Sequence, residues 1–525
     1  TLFPYTTLFR SAHYPQDPSF MDACDELGLF VIVPTPGWQY WNKNPKWGEM
    51  VHQNTRDIIR RDRNHPCVLM WEPILNETRY PQDFALQALK ITQEEFPYPN
   101  RPVAAADLNS EGVKENYDVL YDWADNIPIR RGGSAYPPAN ENPPITGGNA
   151  VPPLQESYAL GKCVFTREWG EYVDDWYAHN AINRAARSWG EQAMLTAALS
   201  LAETYGMMYR GQRQFIGGCQ WHPFDHQRGY HPDPYLGGIY DAFRQKKYAF
   251  EMFRSQVADP PMVFIAHEMT QYSDKDVVVF SNCDSVRLTA FEGEKTVTLP
   301  VVHQKDGTPN APVVFKDFWD FWQARNFSYT QRNWQKVSFV AEGIKNGQVV
   351  CTEKKMPARR STKIRLYADE MGKPLVADGS DFIVVVAEVT DDNGNIRRNA
   401  LEHVTFTVEG EGSIIGDASI MANPRVTEWS SAPVLIRSTH QAGTIRIIAR
   451  PTVQGVHTPT PDTLTITSIP YEYKTCHKES SSSTYSTQKA NPTYTPSVLE
   501  SLSEEERRKV LEEVEKQQQD FGIQQ

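Results

Sequence analysis

The 525-residue sequence lacks any apolar run of the length that crosses a bilayer, so it does not read as a helical membrane protein. It lacks a basic excess as well. With a formal charge of −12 it would repel the phosphates of a nucleic acid, and neutral ligands suit it better. It is also poor in cysteine patterning: Cys24, Cys67, Cys163, Cys219, Cys283, Cys351 and Cys476 stand singly, with no CxxC and no Cys/His ligand spacing. That excludes a dense disulfide scaffold and gives no sign of a zinc site; most of the seven sit in apolar stretches and read as small buried residues. What the chain has in quantity is aromatic surface, with 13 Trp and 24 Tyr. Most of these rings must be core, but such abundance is common where sugar rings stack on flat side chains.

The length allows about three compact units. From Ala12 to about Gln256, short apolar strands alternate with helical stretches, the mark of βα units. Strands are expected in Leu27–Trp38, His65–Glu77, Pro102–Asp107, Lys162–Glu171 and Gln214–Asp225, each nearly continuously apolar, as befits a sheet covered on both faces. Between Asp125 and Pro153 lies a Pro/Gly/Asn-rich loop long enough to line a site. After about Val257 the helices stop. Residues 257–365 and 366–470 read as two immunoglobulin-like β-sandwiches, the second holding DFIVVVAEV, the turn DDNGN, HVTFTVEGEG and AGTIRIIARP. The NG turn is weak evidence by itself; the density of strands is stronger. Residues 471–525 read as a Ser/Thr/Gln/Pro linker, then a charged helix with a Ser503/Glu506 capping box, ending near Gln519.

The candidate chemistry lies in two glutamates at strand ends, Glu77 and Glu168. Hydrolysis of a glycoside with retention needs two carboxyl groups about 5–5.5 Å apart, one protonating the leaving oxygen and one attacking the anomeric carbon. A βα barrel supplies such groups from the carboxyl ends of different strands. A single strand-end glutamate is more often an ordinary surface residue, and two do not decide the matter. Glu72 and Glu171 stand nearby as decoys.

The neighbouring sequence is more specific. RDRNHPCVLMWEPILNE, FTREWGE, AHYPQDPSFMDACDELGLFVIVPTPGW and QFIGGCQWHPFDHQRGYHPDPYLGGIYDAFRQKKYAFEMFRSQ occur in the order in which the family 2 glycoside hydrolases carry similar segments, and together they span roughly residues 12–256. The chain therefore resembles that family, β-galactosidases in particular. The resemblance implies an incomplete (β/α)8 TIM barrel followed by two sandwiches, with Glu77 as acid/base and Glu168, beside Arg167, as nucleophile. It implies that Asn76 bonds the sugar 2-hydroxyl, that His13 contacts the sugar, and that Trp221 is the floor on which the ring stacks. Trp38 and Asp225 are further candidates for lining the pocket. His13 read as a helix-flanking polar residue and Trp221 read as barrel core are the bland alternatives.

The reaction requires no metal, although some members bind magnesium or sodium; the expected partner is an oligo- or polysaccharide, with oligomeric state left open. The family's habitat implies a periplasmic or secreted bacterial enzyme. A glucuronidase is expected to carry an Asn-x-Lys element where this chain has GGIYDAFRQKK, which favours a β-galactoside over a β-glucuronide, with a β-mannoside behind. A non-catalytic carbohydrate-binding or adhesive module is the alternative, opposed by the presence of both glutamates. Finally, Thr1–Ser11 (TLFPYTTLFRS) back-translates to a widely used sequencing adapter and reads as foreign; the competing reading is a native strand, since Arg10 falls three before His13, where the family carries an arginine. On the adapter reading the front of the protein, including two barrel strands, is missing, and this chain is expected to turn over substrate poorly.

Overall fold

A computed structural model describes residues 8–10, 14–36, 41–75, 78, 80–105, 112–121, 160–169, 184–208, 214–221, 223–227, 234–303, 308–369, 373–472, 503–509 and 512, with only the backbone at 8–10, 105, 167, 168, 204, 207 and 208. The first architectural unit is a parallel sheet of seven strands in consecutive order: β1 (Leu8–Arg10), β2 (Phe30–Pro34), β3 (Val68–Ile74), β4 (Val103–Ala105), β5 (Val119–Tyr121), β6 (Cys163–Trp169) and β7 (Phe215–Gln220). The sheet curls until β1 approaches β7, an incomplete TIM barrel. β5 was not expected from the sequence, and β1 falls where a native strand was only the competing reading. Both are three residues long, too short for a period-2 pattern to register. β1 lies inside the segment read as foreign and pairs Leu8, Phe9 and Arg10 with Phe30, Val31 and Ile32. Backbone pairing is indifferent to where a sequence came from; the open edge of β2 accepts any extended neighbour.

Helices on the outside give the sheet its second layer. In α1 (Pro18–Leu27) the Asp17 carboxylate caps the Ser19 amide, proline opens the first turn, and Gly28 closes the helix in the left-handed region at φ 70°. α2 (Pro45–Asp62) repeats the device, with Asn44 accepting from the Lys46 amide. Strand alternation then sorts the core: Val31 and Val33 meet Met21, Cys24 and Ile59 on the helical side, whereas Ile32, Met70, Ala104, Val119, Tyr121 and Phe165 pack inside the curl.

Two antiparallel sandwiches follow. The first faces a four-stranded sheet against a three-stranded one, from β8 (Val263–Ile265), β9 (Val277–Ser281), β10 (Ser285–Ala290), β11 (Lys295–Pro300), β12 (Val313–Phe315), β13 (Phe339–Lys345) and β14 (Gln348–Lys355). Leu288, Phe291, Trp319, Phe327 and Phe339 fill its core. The second is built mainly on β15 (Lys363–Asp369), β17 (Phe382–Thr390) and β21 (Ser431–Ser438) in one sheet and β18 (His403–Gly410), β22 (Thr444–Pro451) and β23 (Asp462–Thr467) in the other, over Val385, Phe406, Val434 and Ile447. Residues 472–525 form a separate unit, whose described part is helical over 504–509; the Ser503 amide donates to Glu506 Oε2 at 2.9 Å, one arm of the expected capping box. No helix among the described residues is long and apolar enough to cross a membrane.

The barrel and both sandwiches meet at Glu268, a completely buried carboxylate just past β8. Tyr248 of the barrel donates to its Oε1 at 2.7 Å, Lys355 at the end of β14 also at 2.7 Å, and Arg398 of the second sandwich reaches Oε2 at 3.3 Å. Its amide in turn donates to Glu191, which also accepts from Ser273 Oγ at 2.6 Å. Burial alone would raise the Glu268 pKa, but Lys355 and Arg398 outweigh it and hold the group down at about 2. For Glu191 burial outweighs the Ser273 hydrogen bond and the weaker pull of Lys355, and lifts it to about 7. Beside the cluster, Trp429 of the second sandwich enters the apolar cluster formed by Trp169, Ala198, Tyr205 and Phe280. Arg398 stacks over its ring at 5.5 Å, and Gly190 leaves room for it, since a Cβ there would lie 3.3 Å from the indole.

Glu268 has a depressed folded pKa, so its contribution is present above the unfolded value of about 4.3 and is lost as pH falls toward 2. Glu191, being raised, instead costs stability as pH climbs from about 4.3 through 7. Glu268→Gln should therefore lower unfolding stability near neutral pH by about 3–5 kcal/mol, because two cations are left buried without their partner, and should flatten the loss of stability on acidification. Chemical denaturation across a pH series checks both; an unchanged midpoint at every pH would refute this account of the junction.

Candidate active site at the carboxyl ends of the parallel strands

All seven strands run the same way, so their carboxyl ends open on one side. β3 ends at Ile74, with Asn76 and Glu77 two and three residues beyond; these two, together with His13, Trp38 and Glu171, lie outside the described residues. Glu168 and Arg167 occupy the penultimate positions of β6, where the backbone alone is described. The decoy Glu72 is a fully buried residue in β3, with its carbonyl accepting from the Thr35 amide and its Cα paired with Pro34.

The approach of β7 to β6 fixes the carboxyl end of the Glu168 strand. Thr166 pairs with Gly218 and Trp169 with Gln220, with a register shift between Thr166 and Trp169. Gly218 is a steric necessity: a Cβ at this position would stand 2.7 Å from the Thr166 carbonyl oxygen and 3.1 Å from the Trp169 ring. Outside the sheet, Trp169 stacks on Tyr205 of α5 (Glu191–Met208), centroids 5.6 Å apart, which anchors the residue next to Glu168. Just past β7, the half-buried Trp221 continues the ladder, its amide donating to the Trp169 carbonyl at 2.8 Å.

Trp221 is followed by a belt whose centre is Asp225. That carboxylate is buried, and its Oδ1 accepts from the Gly238 amide at 2.9 Å and from Lys247 Nζ at 2.7 Å. Lys247 also donates to the Leu236 carbonyl at 3.0 Å. Backbone bonds from Asp225 to Tyr240, from Tyr240 to Pro223, and in both directions between His226 and Tyr235 close the belt, and the Tyr235 hydroxyl reaches the Trp221 carbonyl at 3.4 Å. Burial raises Asp225 to about 6 against the pull of Lys247, and burial lowers Lys247 against the pull of Asp225. Asp225 therefore spends its carboxylate on the frame behind Trp221. Lys247 and Gly218 escaped sequence reasoning: nothing in RQKKYAF marks one lysine as buried, and its partner lies 22 residues upstream.

A curled sheet of seven parallel strands followed by two sandwiches defines an incomplete TIM barrel with trailing β-domains. The comparisons make it specific. Residues 6–129 match the model of the glycosyl hydrolases family 2 TIM barrel domain, and residues 364–457 match glycoside hydrolase family 2 C-terminal domain 5. A beta-galactosidase of Thermoanaerobacter pseudethanolicus is 28% identical over 460 residues, covering 84% of this chain and 54% of the relative. One of Thermoanaerobacterium thermosulfurigenes is 25% identical over 432 residues, covering 78% and 54%. The fold is shared with a solved beta-glucuronidase from glycoside hydrolase family 2 (TM-score 0.60, 17% identity, 89% of this chain and 45% of that one). A beta-glycosidase from Bacteroides vulgatus is similar (TM-score 0.59, 18% identity, 88% and 59%). Two separate parts of the chain are thus similar to glycoside hydrolase family 2 domains, and the chain spans about half the length of the curated relatives it matches.

Two substitutions test the frame. Lys247→Met should strand a buried carboxylate and cost about 3–5 kcal/mol at neutral pH, with a change in tryptophan emission as Trp221 loosens. Gly218→Ala should separate β6 from β7 and destabilise by about 1–3 kcal/mol. Denaturant unfolding followed by fluorescence reads both, and wild-type stability in Lys247→Met would show that the pair carries no structural load.

Proposed function

We propose that the protein is a retaining exo-β-glycosidase acting on terminal β-galactosides, with Glu168 as nucleophile and Glu77 as acid/base. The observation that supports the reading is positional: Glu168 is the last residue but one of β6, and β3, which runs parallel to it in the same curled sheet, ends three residues before Glu77 in sequence. The two matches to glycoside hydrolase family 2 domains support the reaction class. The two relatives named beta-galactosidase support the sugar, as does GGIYDAFRQKK in place of an Asn-x-Lys element.

In the first step the Glu168 carboxylate attacks the anomeric carbon while Glu77 gives its proton to the departing glycosidic oxygen, leaving a sugar ester on Glu168. In the second, Glu77, now a carboxylate, takes a proton from water. The hydroxide so formed attacks the same carbon, freeing the sugar with its original configuration and returning Glu168. Asn76 holds the 2-hydroxyl, a bond that tightens in the transition state; His13 and Trp38 contact the sugar, Trp221 supplies the stacking floor, and Asp225 positions it through the belt. No metal enters these steps. Magnesium or sodium is implied by the family resemblance alone.

Trapping tests the proposal even where turnover is slow, since it needs a single event. A 2-deoxy-2-fluoro-β-galactosyl fluoride should add one sugar to the peptide containing Glu168, and none in Glu168→Gln. Steady-state rates on aryl β-galactosides should exceed those on the glucuronide and mannoside. Glu168→Gln should lose at least about 10³-fold. Glu77→Gln should lose about 10²–10⁴-fold with a poor leaving group and much less with dinitrophenolate, which leaves without a proton. Label on another residue sinks the assignment; glycan retention without hydrolysis, unaltered by Glu77→Gln, would favour a binding module instead.

A further inference from the structure

At the opposite, amino-terminal end of the strands the fold assembles a set of donors that the sequence keeps far apart. Asp25 belongs to the last turn of α1, while His65 and Cys67 lie in the short passage from α2 into β3. One donor atom from each of the three lies within 4.8 Å of the others. His65 Nδ1 is 2.6 Å from Asp25 Oδ2, and the Cys67 amide donates to Asp25 Oδ1 at 2.8 Å. A fourth donor stands beside them: Asp22, one turn before Asp25 on α1, has Oδ1 4.0 Å from the same His65 nitrogen. The pattern is regular. Asp22 and Asp25 share a helix face as i and i+3, and the turn His65-Pro66-Cys67-Val68, closed by the Val68 amide on the His65 carbonyl at 3.3 Å, presents His65 and Cys67 to them, so two pairs converge from two elements.

We propose that Asp22, Asp25, His65 and Cys67 form a binding site for a zinc(II) ion that clamps α1 to the entry of β3. The donor set, two carboxylate oxygens, one imidazole nitrogen and one thiolate, is of the kind zinc takes in tetrahedral sites. Charge balances as well. Two carboxylates and a thiolate bring −3, the ion +2, and Arg101, which donates to the His65 carbonyl at 2.7 Å, the remaining +1. Entry is open, because the Asp22 side chain is 70% exposed, while Cys67 behind it is buried. Binding replaces the His65–Asp25 hydrogen bond, and the two atoms separate to the roughly 3.3 Å edge of a zinc tetrahedron. The Cys67 S–H bond breaks, the sulfur pair goes to zinc, and one proton leaves to solvent; His65 coordinates through neutral Nδ1 with its proton on Nε2. The site is far from the carboxyl ends of the strands and independent of the proposed glycosidase chemistry.

The test uses the full chain, stripped with a chelator and titrated with cobalt(II) alone as a spectroscopic stand-in. One equivalent should bind with a sulfur-to-cobalt charge-transfer band and release of a proton, and zinc(II) alone should raise the thermal midpoint. Cys67→Ser should abolish the band. Asp22→Asn, at an exposed position that does not endanger folding, should keep the band and weaken affinity at least about tenfold. A band that survives in Cys67→Ser would place the metal at another of the seven cysteines and overturn the proposal. So would the absence of stoichiometric uptake, or an affinity unchanged in Asp22→Asn. If Cys67→Ser does not fold, Asp22→Asn decides alone.

Discussion

The arrangement of the three large domains depends on one buried carboxylate. Glu268 is satisfied only when Tyr248 from the barrel, Lys355 from the first sandwich and Arg398 from the second are all in place. A charge removed from water is costly unless paired, so each domain completes the solvation of a group supplied by another. Shape complementarity adds to this. Trp429 crosses from the second sandwich into the cluster under α5, and α5 carries both Tyr205, which stacks on Trp169, and Glu191, which receives the Glu268 amide. The sandwiches are thus linked through a single helix to the end of the strand that bears Glu168.

The same logic, on a smaller scale, governs the frame behind the candidate site. Asp225 and Lys247 are a buried pair with one remaining task each, the Gly238 amide and the Leu236 carbonyl, and between them they hold the belt that follows Trp221. Together with the close approach allowed by Gly218, this makes the carboxyl end of β6 and β7 a rigid platform. Glycoside chemistry needs that rigidity, because the separation of two carboxyl groups decides the stereochemical course. At the other end of the barrel, the proposed ion site would fasten a helix to a strand entry, consistent with the general division of such barrels into a reactive face and a stabilising one.

Much of this was legible in the chain itself. Period-2 alternation and nearly continuous apolar runs disclosed the long strands β2, β3, β6 and β7 and the strand-rich sandwiches, and Asp17-Pro18 and Asn44-Pro45 mark helix starts by local chemistry alone. Order and spacing of four motifs pointed to the family and to Glu77 and Glu168 without any coordinates. Of the three-residue strands, β5 stayed hidden and β1 was only a competing reading, because both are defined by their neighbours' edges, not by a pattern of their own.

What only the tertiary structure decided are the pairings between distant charges. Asp225 and Lys247 are 22 residues apart, Glu268 and Arg398 are 130 apart, and Asp25 meets His65 across 40. Local sequence reports propensity, capping and periodicity, which act over a few residues. The partner of a buried charge is chosen by which elements the fold packs together, and the low dielectric that makes the choice compulsory exists only once they are packed. Family and candidate catalytic residues were therefore readable from residues 12–256 one after another, whereas the frame that holds them, and the donor cluster beneath, came into being with the fold.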